Sequence, residues 1–220
     1  MKYFKITQNT DSKIIGNYPQ VKDLKINFHE ARASQWGKID EWKSDDDIPD
    51  LNNFLLQPKS KLTDLISNSF VIVSDGLFIS EKGKRVFENF KVNGNLYNAT
   101  IYELEKKIPY DFLWYEYGAK SKIDCKASVF VEYESNKEHY GETLSIADFE
   151  DYKVKFRKLY TEKEGWDIVP KTLKFNEYFD ITPAFGIGLI CNENVKNAIE
   201  ENHLTGFLFE PLDIEIVFKK

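Results

Sequence analysis

A chain of 220 residues, 42% hydrophobic and 15% aromatic, holds enough apolar surface for one large domain or two small ones packed together, without covalent staples. Thirty basic against 36 acidic side chains leave a formal charge of -6, which repels polyanions and argues against nucleic acid as a ligand. Two cysteines, Cys125 and Cys191, neither in a CxxC pattern, exclude a disulfide framework and fit a reducing compartment.

The N-terminal run Met1-Lys2-Tyr3-Phe4-Lys5 breaks before a signal-peptide core can form, so a cytoplasmic protein is expected. The longest apolar stretch, Phe185 to Cys191, is far short of the roughly 20 residues that span a bilayer as a helix, so no membrane partner is expected. Seventeen Phe, twelve Tyr and four Trp favour pleated surfaces, and the fold class predicted is α+β, a predominantly antiparallel sheet with a few packed helices.

In chain order, Tyr3, Phe4 and Ile6, then Leu24, Ile26 and Phe28, predict early strands. Residues 40–50 form an acidic loop by composition, closed by Pro49. A short helix over 61–68 would turn Leu62, Leu65 and Ile66 inward, and Phe70 to Val73 reads as a buried strand. Ser80 caps a helix running to about Phe90, and Gly94 marks its exit. Strands follow over 96–104 and 110–117, joined through Lys106, Lys107 and Pro109, then over 127–133. Ser145 with Asp148 resembles a capping box before Phe149, Tyr152, Phe156 and Leu159, which share a helical face; a strand through Val154 and Phe156 competes. Leu173 and Phe175 precede a turn-rich stretch to Pro183, a strand over 187–190, a helix from Asn192 to about Asn202, and strands around Pro211.

The chain echoes itself at a shift of 112 positions. Gly76-Leu77 falls on Gly188-Leu189, Glu81 on Glu193, Lys84 on Lys196, Glu88 on Glu200, Gly94 on Gly206 and Leu96 on Leu208, without a gap. Ser80 and Asn192 share the N-cap role, and each glycine would supply a conformation that other residues resist. A single domain over 1–220 built of two related strand-helix-strand halves, 1–109 and 110–220, is the expectation.

Candidate sites are few. His29, His139 and His203 show no metal-ligand spacing, Cys125 lacks a neighbouring base, and Cys191, though placed before a helix start that could stabilise a thiolate, has neighbours Leu189 and Ile190 that predict burial, so no metal, cofactor or catalytic residue is assigned. Gly186-Ile187-Gly188 before a helix falls short of a dinucleotide fingerprint. The sharpest functional feature is the carboxylate cluster Asp40, Glu41, Asp45, Asp46, Asp47 and Asp50 beside Trp42, a candidate partner-binding surface that could steer a basic protein, with a plain solvated loop as the equal alternative. Trp36, Trp42 and Phe54 flank it, either as binding anchors or as core residues. The competing class is a small hydrolase or transferase, its site assembled from Asp75, Glu81, Asp124 and His203.

The segment from Asn192 to Phe207, with Tyr178-Phe179-Asp180-Ile181 upstream and Tyr110-Asp111-Phe112-Leu113, Ile123-Asp124 and Ser128-Val129-Phe130 in the middle, resembles a bacterial family of immunity proteins of polymorphic-toxin systems. The resemblance covers roughly the C-terminal half. The family more often has Ser at position 192 and Ile or Val at 191, changes that preserve a cap and a core role. It implies a non-catalytic cytoplasmic protein that neutralises a cognate protein toxin by direct binding.

Overall fold

The computed structural model describes residues 1–25, 50–68, 76–115 and 122–219. Among the described residues strand outweighs helix, 44% against 19%, so the α+β, sheet-dominated expectation holds. The described strands are β1 (Tyr3–Gln8), β2 (Val21–Leu24), β3 (Phe54–Leu56), β4 (Leu65–Ile66), β5 (Gly76–Ile79), β6 (Asn95–Glu103) and β7 (Lys106–Trp114), then β8 (Val129–Glu134), β9 (His139–Leu144), β10 (Trp166–Phe175), β11 (Ile181–Ala184), β12 (Gly188–Asn192), β13 (Phe207–Pro211) and β14 (Glu215–Phe218). The described helices are α1 (Ser12–Ile15), α2 (Glu81–Phe87), α3 (Phe149–Glu162) and α4 (Glu193–Glu201). All described strand pairings are antiparallel except β3 with β6 and β10 with β14.

The six-stranded sheet, in the order β2-β3-β6-β7-β5-β4, curls until its edges meet. Val21 bridges Asn68 in parallel, and its N–H donates to the Ser67 carbonyl at 2.9 Å. Gln20, fully buried, stitches this seam: its Nε2 donates to the Thr63 hydroxyl and its Oε1 accepts from the Ser67 N–H, each at 2.8 Å. The concave face is packed by Phe54, Phe78, Phe112, Ile101 and Trp114, with Phe54 and Phe78 rings 4.6 Å apart.

On the convex face, Leu77, Ile79 and Leu113 meet Val86 and Phe87 of α2, Val195 and Ile199 of α4, and Ile6, Leu189 and Cys191 of the central sheet, β11-β12-β1-β13. The opposite face of the central sheet sends Tyr3, Ile190 and Ala184 into a third cluster with the outer sheet, β14-β10-β8-β9, and with Tyr152 and Leu159 of α3. Phe185 is the hub of this cluster, its ring within 5.6 Å of Phe130, 5.4 Å of Phe149 and 4.9 Å of Tyr152.

The 112-residue echo has a spatial counterpart. β4-β5-β7-β6 and β11-β12-β1-β13 are the same arrangement, each with a helix after its second strand, and β1 stands where β7 stands in the first unit. Ser80 accepts from the Gly83 N–H at 3.1 Å and Asn192 from the Val195 N–H at 3.1 Å, both caps three residues before their partners. The return strands slip by one residue. Leu96 faces Leu113, whereas Phe209, not Leu208, faces Ile6 at the corresponding place, and Leu208 is exposed. Position 109 falls inside β7.

Local expectations fail where non-local contacts decide. The helix over 61–68 is replaced by the short strand β4, because Leu65 pairs with Ile79 and donates its N–H to the Thr205 carbonyl; Leu62 is exposed. The cap of α3 is Asp148, whose carboxylate accepts from the Asp151 N–H, while Asp151 reaches back to the Ala147 N–H; Ser145 lies outside the box. The competing strand through Val154 and Phe156 is absent, and Val154 is exposed on α3. Pro109 and Pro183 both sit inside strands. Pro109 lies beyond the reach of β5, and Pro183 lies on the edge strand β11, where a missing N–H leaves no ladder bond unmade. The second half of the Leu24 to Phe28 strand and the strand over 70–73 lie outside the described residues.

Candidate functional site

Where the central and outer sheets part, a cleft of about 510 Å³ opens to solvent. Its floor carries Lys5 of β1 and Glu210 of β13, which pair directly across the ladder and whose charges meet at 3.8 Å. One wall is Tyr133 of β8, Tyr140 of β9 and Val169 of β10, and the other is Ile187 with Leu212 to Ile214. Antiparallel pairing sets Tyr133 opposite Tyr140, with rings 5.0 Å apart and tilted by 41°. The Lys171 ammonium lies 3.1 Å from the Tyr140 ring centroid, so this ring stabilises a cation through its electron-rich face. Tyr140 is 50% exposed, and Asp213 has no ion pair among the described residues.

Aromatic rings with flanking carboxylates suit a partner's basic or amphipathic side chains. At the far end of α3, Lys163 pairs with Glu132 at 2.7 Å and lies over the Trp166 ring, and His139 meets Trp166 edge-on. Asp167, half-buried on β10, has its carboxyl pushed above the usual range by burial, although it accepts the Ile168 N–H at 2.6 Å.

Of the acidic cluster, only Asp50 is described. It is exposed and accepts from the Asn52 N–H and the Asn53 amide, a turn-holding role. Asp40, Glu41, Trp42, Asp45, Asp46 and Asp47 lie outside the described residues, as do Trp36, His29 and Asp75. Phe54 is core, 1% exposed and packed on Phe78, so it cannot anchor a partner.

Of the scattered hydrolase-type residues, the three that are described, Glu81, Asp124 and His203, each have a local structural place. Glu81 pairs with Arg85 one helical turn on, and Asp124 accepts from the Ala127 N–H in the turn before β8. His203 ends α4 in the left-handed region at φ 51°. Cys191 is fully buried in β12 and its thiol is pushed up to about 12 by burial; Cys125 is raised by burial and then by Asp148. Neither is an activated nucleophile. No group of three His, Cys, Asp or Glu among the described residues could hold a metal ion.

Gly186 and Gly188, with φ of 80° and 121°, turn the β11–β12 hairpin, which accounts for the glycine pair without a nucleotide. Of the paired exit glycines, Gly206 takes φ 89°, and a Cβ there would meet the Leu65 carbonyl at 2.1 Å. Gly94 has no positive φ; it is needed because a Cβ would stand 2.7 Å from the Trp114 carbonyl.

The Tyr133–Tyr140 cleft was not singled out by the sequence. Period-two alternation over 127–133 did mark one face of β8, but Tyr140 joins it only through the hairpin pairing. No helix among the described residues is long and apolar enough to cross a membrane. No protein-family model matches the chain, and comparison with curated proteins finds no match.

Proposed function

We propose that the chain is a non-catalytic protein-binding module, an immunity protein of the cytoplasm that neutralises a cognate toxin by direct contact and needs no cofactor. The observation that carries this reading is the open cleft lined by exposed Tyr140, half-buried Tyr133, Glu210 and Asp213, on a protein of net charge -6. Tyrosines at the mouth of a shallow depression offer large, rigid contact area at little cost in conformational entropy, and an acidic surface steers a basic partner towards it. The resemblance of the C-terminal half to immunity proteins points the same way.

The test is an affinity capture with the purified chain as bait at low and high salt, followed by expression of any stoichiometric partner with and without this chain. A basic protein that is held more weakly at high salt, arrests growth alone and is tolerated in the presence of this chain would support the reading. A partner whose toxicity this chain leaves unchanged would sink it. Replacing Asp45, Asp46 and Asp47 by Lys should weaken the complex while leaving the fold intact; an unchanged affinity would remove that segment from the interface.

A further inference from the structure

A sheet edge left open in solution is a template for another strand, and most of the described edges here are covered, short or closed by a charge and a proline. The β2 and β4 edges meet at the Val21–Asn68 seam. The outer side of β11 is taken by Val92 and by the Asn93 N–H, which donates to the Ile181 carbonyl. β13 ends in Glu210 and Pro211, and β14 is four residues long with Phe218 stacked on Phe175. β9 is the least protected, its one irregularity being the register shift against β8 between Val131 and Tyr133. Its six residues contain neither Pro nor Lys, and His139, Tyr140, Glu142 and Thr143 are exposed. Among the described residues, no backbone group outside β8 bonds to it.

We propose that β9 is a docking edge for an extended, basic segment of a partner protein, which adds to the outer sheet as a further antiparallel strand. Backbone hydrogen bonds would supply much of the affinity and alternate side chains the selectivity. Charge decides the occupant. Glu142 stands at the centre of the strand without an ion pair among the described residues, and the nearby Lys163 is already bound to Glu132. Glu138, in the turn before β9, is also without an ion pair among the described residues, while Lys137 is engaged by Glu134. Antiparallel pairing of two copies about the middle of β9 would bring two Glu142 carboxylates together, which disfavours a second copy. A partner's Lys or Arg opposite this stretch would meet Glu142 on the strand.

The inference takes from the proposed function only that the partner is a protein. The probe is a seven-residue peptide, acetyl-Thr-Val-Arg-Val-Lys-Val-Thr-amide, titrated into the isotope-labelled full chain, beside a version with Glu in place of Arg and Lys and a version N-methylated on alternate amides. The expected result is amide shifts centred on residues 139–144, binding at least fivefold tighter than the acidic peptide, loss with the N-methylated one, and at least a fivefold weakening by Glu142→Lys. Equal binding of the basic and acidic peptides, or shifts centred elsewhere, would overturn it. So would concentration-dependent shifts in β9 without peptide, which assign the edge to a second copy. A toxin captured and neutralised as above, but indifferent to Glu142→Lys, would overturn this inference and leave the proposed function standing.

Discussion

Asp64 and Asp180 do the same work at equivalent places. The Asp64 carboxylate accepts from the Ser80 hydroxyl at 2.7 Å with one oxygen and from the Thr205 N–H at 2.8 Å with the other. The Asp180 carboxylate accepts from the Asn192 amide at 2.6 Å and from the Lys91 N–H at 2.8 Å. Each aspartate therefore holds its own unit's helix cap and the other unit's helix exit. The backbone repeats the pattern: Leu65 donates to the Thr205 carbonyl and Ile181 to the Lys91 carbonyl. Charge-assisted hydrogen bonds of this kind contribute about 1.5–3 kcal/mol each. Asp64→Ala and Asp180→Ala are each expected to lower unfolding stability by about 2 kcal/mol in urea titration. Two matched losses are the expected signature; a negligible loss at either position would deny that aspartate a joining role.

The seam of the curled sheet depends on Gln20. Its amide is fully buried and fully used, so Gln20→Leu leaves the Ser67 N–H and the Lys61 carbonyl without their partner. A cost of about 2–4 kcal/mol is expected, with faster hydrogen exchange at Val21 and Ser67. Exchange unchanged at both amides would show that the seam closes without it.

Phe185 touches three rings that come from the outer sheet and α3. Phe185→Ala should cost about 3–5 kcal/mol by cavity formation, whereas Tyr160→Ala, on the exposed end of α3, should stay within about 0.5 kcal/mol. Thermal unfolding of the two variants side by side checks the contrast.

Asp167 gives a pH dependence of defined sign. Burial raises its folded value above the unfolded one, so the folded state holds this proton more tightly. The stability it contributes is full below the ordinary carboxylate value and is lost as pH rises through the raised folded value. Asp167→Asn mimics the protonated form and can keep the acceptor for the Ile168 N–H. A gain in Tm on the order of 2 °C at pH 7 is expected, shrinking towards zero near pH 3. A loss at pH 7 would contradict the burial argument.

What was legible in the sequence was local. The caps at Ser80 and Asn192, the apolar face of α3 and the presence of strands at β6 and β8 need only neighbouring residues and stand close to where the pattern placed them, whereas β7 begins at Lys106, within the expected connector. Leu62, Leu65 and Ile66 fit a helical face, but the pairing of Leu65 with Ile79 and its bond to Thr205, 140 residues away, make β4 a strand. The echo was visible as matched residues, yet the one-residue slip of β13 and the entry of β1 into the second unit leave no trace in spacing. The candidate surface fared likewise: Asp50 proved to hold a turn, and the Tyr133–Tyr140 pair needed a hairpin register to be seen.

Because β1 lies between β12 and β13, residues 3–8 are held by residues 190–192 and 207–211. A growing chain can pair β5, β6 and β7 soon after they emerge from the ribosome, but the second unit must keep a place for a strand synthesised some 180 residues earlier. Until residues 188–211 arrive, Tyr3, Phe4 and Ile6 have no sheet to enter and remain available to chaperones or to wrong partners. The two units are alike in shape and unlike in timing: one closes on its neighbours in sequence, and the other closes only when distant parts of the chain meet.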